Sequence, residues 1–134
     1  MDWSRFALTV LVAGIGASLT DWFFGGVLFH DKYMAYPEVW RDPPGTPETK
    51  KILLSTALGF VTCGAFAFLC VRLELVSLVL ALKLAAAVWA IGPLPLIVTN
   101  ALWTKVHPAN AVAHLLGWLA KLGVTALAVA WLQP

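Results

Sequence analysis

Charge is scarce in this sequence. Only 12% of its 134 residues are Asp, Glu, Lys or Arg, whereas a soluble domain carries about 25%. A chain so poor in water-binding groups cannot clothe a soluble surface. Basic runs are missing too: nothing exceeds Lys50-Lys51, and the net charge is +2, so nucleic acid is not implied as a partner. There are two cysteines, Cys63 and Cys70. Seven positions apart on one helix, their Cα atoms lie about 10 Å from each other, beyond the reach of about 7 Å that a disulfide allows. C-x6-C is not a zinc spacing, and both read as small core residues. The sequence also lacks a glycine-rich phosphate loop, a nucleophile elbow, H-E-x-x-H and H-x3-H. No metal and no cofactor is expected. No internal repeat is visible, which argues against a transporter built by duplicating a helical hairpin.

What is present is apolar. Hydrophobic residues make up 60% of the chain, with mean hydropathy +0.84. The length accommodates four spans and short loops, each span needing about 20 apolar residues. The reading is all-α: one membrane domain over 1–134, a bundle of four transmembrane helices at about 4–29, 47–71, 74–104 and 108–132. Arg5 followed by an apolar run with small residues mimics a signal peptide. Hydrophobicity resumes after Asp21 and continues to Phe29, however, so this run reads as the first span. Tyr33, Tyr36 and Trp40 alternate with Lys32, Glu38 and Arg41 in the loop 31–46, a composition suited to the headgroup zone. A short surface helix is expected over 37–41, and Asp42-Pro43-Pro44-Gly45 must turn. Thr46 is placed to cap the second span with Pro47 at its first position. The short Arg72-Leu73-Glu74 connection makes spans two and three antiparallel neighbours. Span three is long, and Gly92-Pro93-Leu94-Pro95 should kink it.

Small residues recur every fourth position on three spans: Ala13, Ala17, Asp21, Gly25; then Ser55, Gly59, Cys63, Ala67; then Ala109, Ala113, Gly117, Lys121, Thr125. Such stripes let helices approach closely in lipid. They exceed what one compact bundle needs, so a homo-oligomer is expected.

Two stripes carry a charge. The end of the bundle that bears loops 31–46 and 105–107 is called the front here. A rise of 1.5 Å per residue puts Asp21, His114 and Lys121 about 13, 9 and 20 Å below it, and Lys83 about 16 Å below it. A lone charge at the bilayer centre costs roughly 2.5 to 3.5 kcal/mol, so Asp21 should pair with Lys83 or Lys121. Intramembrane ionisable residues are functional candidates by default; the plain alternative is an ion pair that fixes helix packing. Candidate ligand-binding residues are Asp21, Lys83, His114 and Lys121, with Trp22 and Trp118 beside them and His30, Asn100 and Asn110 nearer the front. Asp21 and His114 are the candidate acid and base if the protein is an enzyme.

The stretch Trp22-Phe23, Leu28-Phe29, His30-Asp31-Lys32, Tyr33 and Pro37-Glu38-Val39-Trp40-Arg41 resembles a family of uncharacterised bacterial membrane proteins, catalogued as a domain of unknown function. The resemblance implies a four-span fold in a bacterial inner membrane and supplies no activity. Three functions follow from the residues. The first is a protein that binds or transports a small lipophilic or ionic ligand at a buried polar site, with 31–46 as a lid. The second is a membrane-embedded enzyme acting on a lipophilic substrate. The third is an accessory subunit. Lys and Arg counts put loops 31–46 and 105–107 in the cytoplasm. Membrane lipids are partners in every reading.

Overall fold

The computed structural model describes residues 1–133 and, among them, is helical with no strand. Helix α1 runs Trp3–Asp21 and passes directly into a π-helical segment, Trp22–Leu28. A short α2, His30–Tyr33, and a 3-10 turn, Pro37–Val39, follow. Helix α3 is Thr49–Arg72, α4 Leu78–Ile91, α5 Pro93–Trp103 and α6 Pro108–Leu132. Among the described residues, four stretches are long and apolar enough to cross a membrane: Trp3–Leu28, Thr49–Arg72, Leu78–Trp103 and Pro108–Leu132. The protein is a multi-pass helical membrane protein.

Local chemistry sets the helix ends. Asp2 opens α1, its carboxylate accepting from Ser4 N and Arg5 N at 2.9 and 3.2 Å. His107 opens α6, Nδ1 accepting from Ala109 N at 3.1 Å, with Pro108 at the first position, where no N–H is needed. Thr46 does not cap α3. Its hydroxyl donates to Pro43 O and closes the proline turn, so the helix starts two residues later than expected, with Glu48 preceding it. Span three also starts late. Glu74 has φ +57°, a left-handed conformation that ends α3, with Leu75 N donating back to Cys70 O at 2.8 Å. Glycine normally takes that position. Ser77 then caps α4. In the same span the helix is interrupted at Gly92, φ −114° and ψ −84°.

Helix α6 occupies the centre. It packs against α1, α3, α4 and α5. The short 73–77 connection does not make α3 and α4 neighbours along their length; both lean on α6, and they meet only near the back. There Phe66, Ala67 and Cys70 share a core with Ala81, Ala85, Leu122, Ala126 and Val129. The three small-residue stripes converge on the α1–α3–α6 junction, where Ala13, Ala17, Gly59, Cys63, Ala67, Ala113, Gly117 and Thr125 are buried. Contact here is closest at Gly14: a Cβ on it would overlap the ring of Phe60 on α3.

Gly14→Ala is therefore expected to destabilise the fold by about 1–3 kcal/mol, as overpacking does. Adding Phe60→Leu should recover part of the loss, read as unfolding midpoints in mixed micelles. A Gly14→Ala protein as stable as the wild type would contradict this packing.

Candidate functional site

Asp21 is the last residue of α1, and Lys121 lies midway along α6. Their side chains form an ion pair, Lys121 Nζ to Asp21 Oδ2 at 2.9 Å. The lysine is the partner nearly removed from solvent, its side chain 11% exposed against 46% for the aspartate. Two glycines make room for the pair. A Cβ on Gly117 would sit 3.4 Å from Asp21 Oδ1, and one on Gly59 would sit 4.0 Å from Lys121 Nζ. The ammonium also lies 5.2 Å from the centroid of the Trp118 ring, an attractive position for a cation. Thr125 hydroxyl donates to Lys121 O at 2.8 Å.

The pair forms part of the wall of a chamber of about 200 Å³ that Phe24, Gly25, Ser55, Ala113 and Tyr33 also line. Asp21, Gly25, Tyr33 and Ser55 line in addition a wider groove toward the front, between the π-helical segment and the start of α3, where His30 and Glu48 lie. Asp42 and Lys51 form an ion pair at its rim. The chamber thus opens frontward. Toward the back, Cys63, Thr125, Leu122 and Phe66 are buried and pack the junction.

Tyr33 stands at the meeting point of these spaces. Its hydroxyl and His114 Nε2 share a hydrogen bond of 3.2 Å. Burial, and then the Asp21 carboxylate, raise the Tyr33 phenol above its ordinary value, so the ring stays neutral and keeps its O–H. The loop is anchored through its backbone: Asn110 Nδ2 donates to Lys32 O at 3.2 Å and Trp40 Nε1 to Tyr33 O at 2.7 Å.

Of the residues singled out from the sequence, Asp21, His114, Lys121 and Trp118 come together around the chamber. His30 lies in the groove. Asn100 and Asn110 line a separate front cavity with His114. Trp22 is 64% exposed on the outer face. Lys83 is exposed as well and makes no ion pair with Asp21. With α4 beginning at Leu78, Lys83 lies only about 8 Å from the back end, and its long side chain leans toward that end. Phe24 and Tyr33 are not among the candidate site residues, and Ser55, Gly59 and Gly117 enter the sequence reading only as members of the small-residue stripes. Tyr33 was read as a headgroup-zone aromatic, and its alternation with charged neighbours concealed that it folds inward. The π-helical turn was also missed. It closes i to i+5, as in Phe29 N to Phe24 O at 3.1 Å, and such segments are frequent at functional sites. Gly25-Gly26, poor helix formers, were the available signal. Among the described residues, no group of three or more His, Cys, Asp or Glu is placed to hold a metal ion.

The exposure of the two partners differs, so their removal should differ. Asp21→Asn leaves a buried ammonium unpaired and is expected to cost about 3 kcal/mol. Lys121→Met leaves a carboxylate that the chamber can hydrate and should cost less than half as much. Equal losses in equilibrium unfolding would show that the pair is not buried asymmetrically.

One family model, described as a protein of unknown function (DUF1761), matches residues 8–130, a range that includes every residue of the chamber. The match agrees with the resemblance to an uncharacterised family. No curated protein and no solved structure matches the chain.

Proposed function

The chain belongs to the DUF1761 family, and we propose that this multi-pass membrane protein binds a small polar ligand or ion in the chamber beside Asp21 and Lys121. One observation carries the reading: the ion pair is not sealed. Asp21 is half exposed and lines both a space of about 200 Å³ and the frontward groove. A pair that served packing alone would gain from closure, because every water-filled gap forfeits contacts. Here glycines at 25, 59 and 117 keep the space around it open. The chamber offers a carboxylate, an ammonium, a phenol and an imidazole within one small volume. That set matches a ligand with charges or hydrogen-bonding groups of both kinds.

The packed back end supports binding over passage through the protein. A membrane-embedded enzyme is the second reading, favoured by the Tyr33–His114 hydrogen bond beside the carboxylate. In that reading these groups would move a proton.

Ser55 tests the binding reading without touching a charge. It is exposed and lines both chamber and groove, so Ser55→Trp fills the passage while sparing the core. In a thermal-shift screen of small anions, cations and zwitterions, at least one compound should raise the melting temperature of the wild type and fail to raise that of Ser55→Trp. The reading is lost if no compound acts on the wild type, or if every active compound acts equally on both.

A further inference from the structure

On the other side of Tyr33 lies a second cavity, of about 270 Å³, beneath the loop. Its apolar wall is Trp40, Val39, Ile97 and Val106, and its polar lining includes Lys105, His107 and Asn110. Among the described residues, no carboxylate lines it. Among the described residues, Lys105 pairs with Glu38 at 3.7 Å, with both side chains largely exposed, a contact of little strength. His107 Nδ1 accepts from Ala109 N, which leaves the imidazole proton on Nε2. These groups surround the N-terminus of the 25-residue α6, where the helix dipole is positive.

Asn110 supplies an independent observation. The residue is 6% exposed. Its amide orientation is fixed, because the NH2 end faces the Lys32 carbonyl. The opposite atom, Oδ1, is then a buried acceptor with no donor. Buried polar atoms in native proteins are nearly always bonded, and an unbonded one at a cavity wall calls for a donor from outside the chain. Asn110 lines the cavity, and its oxygen is closed to solvent, so a ligand donor reaches it only after side-chain adjustments of the kind common on binding.

We propose that this cavity binds a small aromatic acid that also carries a hydroxyl. The carboxylate faces Lys105 and His107, the ring lies against Trp40 and Ile97, and the hydroxyl donates to Asn110 Oδ1. This site shares the walls Tyr33 and His114 with the Asp21–Lys121 chamber, but the proposed contacts do not rest on the reading of that chamber.

The test uses the full chain in nanodiscs of zwitterionic lipid. Isothermal titration is run with each hydroxybenzoate isomer, with benzoate and with the matching hydroxybenzyl alcohols. The best hydroxybenzoate should bind saturably and at least about tenfold more tightly than either benzoate or its alcohol. Asn110→Leu should abolish the advantage over benzoate, and Lys105→Met the advantage over the alcohol. Each is a ratio of two probes in one protein, so a general loosening of the loop cancels. Ile97→Trp, which fills the cavity, should abolish binding, while Ser55→Trp should leave it intact, separating this site from the chamber. The proposal is overturned if the wild type binds no hydroxybenzoate saturably, if the probes bind alike, or if those ratios survive the Asn110 and Lys105 substitutions.

Discussion

A lysine ammonium buried in the middle of a membrane bundle needs a counter-charge, and in this protein that need joins α6 to α1. Lys121 has Asp21 at 2.9 Å and an aromatic face beside it. The pair can form only if the two backbones come close, which the small residues below it permit. Ala13 and Ala17 on α1 cluster with Cys63 on α3 and Ala128 on α6, Gly14 meets Phe60 on α3, and Gly117 on α6 lies against Asp21. Electrostatics and sterics thus impose one constraint. Bulk at the junction would separate the charges, and separated charges would each meet lipid or a dry core at a cost of several kcal/mol.

The central place of α6 follows from the same constraint. It carries the lysine, the histidine that meets Tyr33, and the asparagine that holds the loop. Its long span therefore presents a polar ladder from the front surface to mid-depth, and the other helices pack around it. Trp89 on α4 adds a further tie, Nε1 donating to Leu115 O at 3.0 Å. That bond reaches a carbonyl inside the α6 helix, and it fixes α4 laterally where apolar packing alone would leave it free to slide.

Much of this was legible in the sequence because the membrane simplifies the code. Span existence follows from length and hydropathy, and the three stripes follow from a period of four. The expectation that Asp21 pairs with Lys83 or Lys121 follows from their similar depths and the cost of a lone charge in the bilayer. Choosing between Lys121 and Lys83 needed the third span's starting point, and that depended on Glu74 adopting a left-handed conformation that sequence rules reserve for glycine. Tyr33 was hidden for a different reason. Its inward position depends on bonds from Asn110 and Trp40 that are distant from it or directed at backbone, and neither leaves a local pattern. The π-helical turn escaped because apolar spacing over seven residues does not distinguish closure at i+4 from closure at i+5.

Two of the bonds that hold the loop end on carbonyl oxygens, those of Lys32 and Tyr33. A carbonyl is the same whatever side chain follows it. Residue 32 can therefore change identity without loosening its bond to Asn110, whereas Tyr33 and Trp40 are loop side chains that the attachment itself uses. An exchange at residue 32 thus alters the front surface while the bond from Asn110 stays in place.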